Sequence, residues 1–171
     1  LLILPGTHSK HLHLKDGKII DFQTYMTGEL YQILSTHSIL KNAIRPDREG
    51  NTRARDAFPK GVEAIQTENL SNLLFSIRAK GLQGSLDEAQ AGPYLSGLLI
   101  GHEFATLPDL PLVLCAGEHL YPYYTLALQV LGKDNRCTLI PPEQVSQLVW
   151  RGQLAILQRK SNDNTGRRFE L

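Results

Sequence analysis

The tetrapeptide Lys15-Asp16-Gly17-Lys18 restricts the fold more than any other stretch of this chain. A two-residue hairpin loop of type I′ needs positive φ at both central positions, and Asp-Gly is among the few pairs that supply it. On one side of it, residues 9–14 alternate, with Lys10, Leu12 and Leu14 facing one way and His11 and His13 the other. That period of two is the pattern of a strand. On the other side, residues 19–24 return as a second strand. Residues 1–4 are apolar and are followed by the turn signal Pro5-Gly6-Thr7, which makes them a strand as well. The expectation is three consecutive antiparallel strands.

The rest of the chain changes period. Thr27 is a suitable N-cap for a helix over 28–40, in which Leu30, Ile33, Leu34 and His37 share a face. Residues 45–56 are basic, polar and unpatterned, and read as a loop. A helix starting at Thr67 or Glu68 runs to Ala79, with Leu70, Leu73, Leu74 and Ile77 at helical spacing and Gly81 and Gly84 ending it. Another covers 87–105, with Pro93 near its start, where proline is tolerated. Its run Tyr94-Leu95-Ser96-Gly97-Leu98-Leu99-Ile100-Gly101 spaces small residues four apart, which allows close backbone approach. The wholly apolar Leu112–Cys115 suits a parallel strand buried on both faces. A helix over 118–131, a strand over 136–140 and a helix over 141–159 follow. Strand–helix–strand–helix implies parallel pairing, so the sheet is expected to be mixed. The sequence contains no internal repeat and no low-complexity segment.

The 171 residues suffice for one domain with a real core, expected over 1–160, with 161–171 as a flexible polar tail. Lysine and arginine total 18 against 17 acidic residues, a net charge of +1, which removes the electrostatic case for nucleic acid or an anionic membrane as partner. Cys115 and Cys137 are too few for a disulfide framework and read as buried free thiols in a reducing compartment. No apolar run approaches the ~18 residues of a membrane span. The apolar start has no basic region of a signal peptide and no initiating methionine. These features point to a cytoplasmic location and to a longer chain truncated or cleaved at this point.

Two motifs carry candidate chemistry. In Pro5-Gly6-Thr7-His8-Ser9-Lys10, glycine lets backbone N–H groups approach an anion, while hydroxyl and ammonium groups add donors for phosphate oxygens. It is not a P-loop, since the Gly-x-x-x-x-Gly-Lys spacing and a directly following helix are missing, and a plain hairpin turn explains it equally. In Leu112-Val113-Leu114-Cys115-Ala116-Gly117-Glu118, a buried strand runs into a glycine at a helix start. Ligands lie beyond the carboxyl ends of parallel strands, although a simple strand-to-helix turn looks the same.

Taken together, several phrases in order resemble the 2-dehydro-3-deoxygalactonokinase family. They are Leu4-Pro5-Gly6-Thr7-His8-Ser9-Lys10, Met26-Thr27-Gly28-Glu29-Leu30, His37-Ser38-Ile39-Leu40, Phe58 with Gly61-Val62, Leu74-Phe75-Ser76-Ile77-Arg78-Ala79, the run from Tyr94 to Gly101, and Ala116-Gly117. The resemblance implies an α/β fold, namely one half of an actin-like (hexokinase-like, ribonuclease H-like) ATPase fold with a mixed five-stranded sheet. It also implies phosphorylation of 2-dehydro-3-deoxy-D-galactonate at its 6-hydroxyl, with ATP and Mg²⁺ as cofactors. By the same analogy Gly6, Thr7, His8, Ser9 and Lys10 form the second phosphate loop, and Ala116 and Gly117 the adenosine-side turn. The family's first phosphate loop and its acidic segment with the catalytic carboxylate are missing, so this chain corresponds to the C-terminal half and needs the N-terminal half as partner. His11 stands where the family usually has tryptophan.

Other readings of single residues compete with this one. His11 and His13 share a strand face and could form half a metal site, but structural or surface roles explain them more simply. Ser9 or Ser96 as a nucleophile lacks the Gly-x-Ser-x-Gly elbow. Arg45, Arg48, Arg53 and Arg55 could meet a carboxylate or phosphate, or simply line a solvated loop. Glu29 and Glu118 read as acids of helix first turns rather than catalysts. The non-enzyme alternative is a nucleotide-binding or assembly module of the same fold. A homo-oligomer, driven by exposed apolar surface, stays open.

Overall fold

A computed structural model of the chain describes residues 1–44 and 52–165. Strands β1 (Leu2–Leu4), β2 (Ser9–Lys15) and β3 (Lys18–Tyr25) are consecutive and antiparallel, as the alternation requires. Asp16 and Gly17 close the β2–β3 hairpin with φ of 51° and 73°, both positive as a type I′ turn demands. A bulge between His13 and Leu14 shifts the register near the hairpin end. β4 (Leu112–Cys115) lies parallel to β1 on its other side, and β5 (Cys137–Ile140) lies parallel to β4. The sheet is thus mixed and five-stranded, in the order β3-β2-β1-β4-β5.

Six α-helices complete the described residues: α1 (Thr27–His37), α2 (Thr52–Ala64), α3 (Leu70–Leu82), α4 (Glu88–Phe104), α5 (Tyr121–Val130) and α6 (Pro142–Thr165). Several expected boundaries move, each for a local reason. α1 is preceded by Met26 and has no side-chain cap, because the Thr27 hydroxyl points into the core instead of back at the backbone. It stops before Leu40, where Ser38 turns extended and its hydroxyl accepts from Leu40 N to start a short 3-10 turn. α3 begins after Asn69, whose side chain accepts from Ser71 N at 3.0 Å, and it runs through Gly81 to Leu82, with Gly84 at a φ of 72° just beyond it. Pro93 sits inside α4 rather than near its start. The true start is the capping box in which Asp87 accepts from Gln90 N and Gln90 accepts from Asp87 N. Residues 118–120 form a turn ahead of α5, and residues 161–165 continue α6.

The loop expected over 45–56 is the largest departure. Residues 45–51 lie outside the described ones, but Thr52 onward is helical. The first turn of α2 has no apolar period of its own. Its helix is held by the next turns, where Ala57, Phe58 and Val62 are buried, and propagation from a docked turn costs little.

α4 is the central helix, with 12 of its 17 residues buried, so it is packed on nearly every side. One flank meets the sheet together with α2 and α5, around Ile3, Phe58, Phe104, Leu114 and Leu128. The other meets α3 around Leu73, Ile77, Leu95 and Leu98. The close spacing expected of its small residues is used against α2. A Cβ on Gly97 would stand 2.2 Å from Phe58 O, and one on Gly61 would stand 2.3 Å from Tyr94 O. Only glycine at these positions lets the two backbones touch. Cys115 and Cys137 are free, and burial pushes both thiols up from the ordinary value. Among the described residues no helix is long and apolar enough to cross a membrane.

Candidate functional site

The turn between β1 and β2 leaves the sheet at the carboxyl end of β1, beside the carboxyl end of the parallel β4. It closes against the start of α1. A Cβ on Gly28 would lie 2.7 Å from Gly6 O and 2.8 Å from the Cα of Thr7, so glycine is what lets the helix end press on the turn. Glu29 N donates to Thr7 O at 3.0 Å, and His8 Nε2 pairs with Glu29 Oε2 at 2.6 Å. The helix end lacks a side-chain cap, and an uncapped N-terminus carries partial positive charge.

Beneath the turn lies a buried carboxylate, Glu103 on α4, only 1% exposed. Ser9 Oγ donates to its Oε1 at 2.6 Å and His11 Nε2 meets the same oxygen at 2.9 Å. Tyr124 Oη donates to Oε2 at 2.8 Å, and Thr27 Oγ1 donates there too. An ionised carboxylate has about four acceptor sites, and four donors occupy them, so the buried charge is fully satisfied. Burial, the facing Glu103 charge and the hydrogen bond to it all push the Tyr124 phenol well above its ordinary range.

A cavity of about 600 Å³ opens over this assembly, a size common for small-molecule and cofactor sites. Gly6, Thr27 and Gly28, from the first turn and the start of α1, line it together with Leu120, Tyr123 and Tyr124, from the second turn and α5. Pro93, Leu99 and Ile100 of α4 and Tyr31 of α1 form its walls. Among the described residues no aspartate or glutamate lines it.

The anticipated site residues separate into distinct roles in this geometry. Gly6 lines the cavity, and a Cβ there would meet nothing closer than His8 O at 3.9 Å. Thr7 and His8 are exposed on the turn. Ser9 is buried and committed to Glu103, while Lys10 is exposed on β2 with its Nζ donating to His8 O at 3.3 Å. Ala116 is fully buried in the core. Gly117 is exposed two residues before the cavity-lining His119, with nothing within 4 Å of the place a Cβ would take. The structure brings the two motifs to one cavity through Gly6 and through the turn after Gly117, rather than through every named residue.

His11 and His13 do not act together: His11 is buried against Glu103, Tyr25 and Phe104, and His13 lies beside the bulge. No group of three metal-ligating side chains occurs among the described residues. Arg45 and Arg48 lie outside the described residues, and Arg53 and Arg55 lie on α2. Glu118 falls in the turn before α5 instead of in its first turn. The residue that sequence reasoning passed over is Glu103. Its signal was present, as the single carboxylate in the apolar run that ends at Phe104, but its four partners are contributed by three other elements.

These features make the chain an α/β domain with a mixed sheet, and a protein of known structure shares that fold. That protein, from Sinorhizobium meliloti and provisionally described as a 2-dehydro-3-deoxygalactonokinase, superposes with a TM-score of 0.69 at 32% identity, over 85% of this chain and 48% of its own. The family profile described as 2-keto-3-deoxy-galactonokinase matches residues 1–156, and the chain belongs to that family. The 2-dehydro-3-deoxygalactonokinase of Escherichia coli (strain K12) is 36% identical over 140 residues, 78% of this chain and 47% of that protein. A Rhizobium meliloti (strain 1021) protein, provisionally described by the same name, is 42% identical over 110 residues, 61% of this chain and 35% of that protein. The chain therefore spans about half the length of these relatives, or less.

Proposed function

We propose that this chain is the nucleotide-binding half of an ATP-dependent kinase of actin-like fold, which phosphorylates 2-dehydro-3-deoxy-D-galactonate at its 6-hydroxyl. The observation that carries the reading is the continuity of the cavity. Its lining includes a bare glycine turn and an uncapped helix N-terminus, which suit phosphate oxygens. The same lining includes Tyr123, Leu120, Pro93 and Leu99, flat or apolar surface suited to a base. In this reading the backbone of Gly6 and Thr7, with the charge of Lys10, receives the phosphates. Ser9 braces the turn from beneath. Ala116 seats the second turn in the core, and Gly117 leaves room for a ligand above it.

Phosphoryl transfer also needs a base beside the acceptor hydroxyl and a screen for the phosphate charge. In this reading the base belongs to a second half of comparable length, the proposed N-terminal partner. The described residues hold no donor set for a protein-bound metal. Mg²⁺ would arrive on the triphosphate, held by its oxygens and by water. A cytoplasmic location follows from the need for ATP and forms part of this proposal.

Titration calorimetry of the chain with ATP–Mg²⁺, beside a coupled phosphorylation assay on a polypeptide of the relatives' full length, tests the reading. Binding by the chain and turnover only by the longer polypeptide is the expected result. Binding with no turnover in either would favour a non-catalytic nucleotide-binding module. An absence of binding to both polypeptides removes the nucleotide reading altogether.

A further inference from the structure

We infer that Glu103 is a positioning residue that sets the distance and orientation between the two turns that border the cavity. Its four donors come from parts of the chain that otherwise have little reason to keep a fixed relation. Ser9 is the residue that follows the 5–8 turn, and Thr27 is the first residue of the helix on which that turn rests. Tyr124 lies in the first turns of α5, just beyond the second turn that borders the cavity. His11 secures the carboxylate to the middle of β2. One side chain on the most buried helix therefore ties both ligand-facing turns to a single point.

The physical reason for a carboxylate here is its acceptor capacity. Three hydroxyls and a ring N–H all donate, and only an acceptor-only group with two oxygens takes all four. Glutamine keeps the shape but turns one oxygen into an NH₂ group, which faces two donors and accepts from neither. Leaving buried donors unpaired drives the elements apart or forces them to rotate. Glu103 does not itself line the cavity, while Thr27 and Tyr124 line it and turn their hydroxyls to the carboxylate, so the effect of Glu103 on binding is geometric. A ligand that reaches both turns depends on their spacing, while a ligand that reaches one does not.

This inference rests on the nucleotide reading, and its test separates the two. Wild type, Glu103→Gln and Tyr124→Phe are titrated by calorimetry with ATP, adenosine and inorganic tripolyphosphate, alongside thermal melts. Tyr124→Phe keeps the ring packing and removes one donor, which covers the case in which Glu103→Gln does not fold. The expected result is a loss of ATP affinity of about tenfold, as for one hydrogen bond to a charged group, with adenosine and tripolyphosphate each changing by less than about twofold. Equal weakening of all three ligands, or an unchanged ATP affinity, overturns the positioning role and leaves only structural support. If wild type binds none of them, the nucleotide reading fails and this inference fails with it.

Discussion

Tyr124 donates to Glu103 Oε2 inside the core, and burial, then the facing charge, then the hydrogen bond hold its phenol above the ordinary value of 10.0. The folded chain therefore keeps this proton at pH values where the unfolded chain has lost it. Stability from Tyr124 is complete below about pH 10 and is lost as pH rises beyond it. We expect the denaturant midpoint of wild type to fall between about pH 10 and about pH 11, and that of Tyr124→Phe to fall less. Cys115 and Cys137 titrate in the same direction from 9.0, so a slope common to both proteins begins there. Glycines give a second test at this scale. Gly97→Ala places a methyl group 2.2 Å from Phe58 O, and the helices must part, at a net cost of about 2 kcal/mol or more even after the better helix propensity of alanine. Gly117→Ala meets nothing within 4 Å. Its melting temperature should stay at the wild-type value while ATP affinity falls, and unchanged ATP affinity would remove Gly117 from the site.

Helix ends show how one element's local choice serves another. Asp87 caps α4 through the N–H groups of Ala89 and Gln90, at 3.0 and 2.9 Å. Asp87→Ala should cost about 1 kcal/mol, read as a lower thermal midpoint with no change in ligand affinity. α1 does the opposite. The threonine that could have capped it donates to Glu103 instead, and the helix end is left to face the cavity. Stability is given up at that end, and a positive helix terminus is gained where a phosphate is proposed to sit. α2 illustrates a third case, a helix whose first turn has no pattern of its own and is supported by the buried turns that follow.

For the molecule as a whole, the sheet and the helices α1 to α5 form one packed unit, whereas α6 carries apolar side chains that stay in solvent. Leu148, Val149, Trp150, Ile156 and Leu157 are each half or more exposed, as are Ile19, Ile20 and Phe22 on the edge strand β3. Trp150, the single tryptophan, is 67% exposed. Its emission in dilute solution should match that of a water-exposed indole and be quenched freely by iodide. A blue-shifted, protected emission would show that something covers this helix. The chain spans about half its relatives' length, and the proposed second half is the partner whose addition should produce that shift.

The sequence by itself determined the elements whose signals are local. The β2–β3 hairpin follows from two alternating runs around Asp16-Gly17, and the buried parallel strand follows from an apolar run of four between Pro111 and Ala116. The small residues of α4 signalled a close backbone approach without naming its partner, and the ordered phrases around Gly6 and Gly117 led to the family. Tertiary structure decided the rest. Whether Thr27 caps a helix or feeds a buried carboxylate depends on Glu103, 76 residues away. Whether Ser9 faces a ligand or the core depends on the same group, and so does the use of His11. A side chain's hydrogen-bonding partner is set by what the fold brings within 3 Å, and that distance is invisible to any pattern of neighbours along the chain.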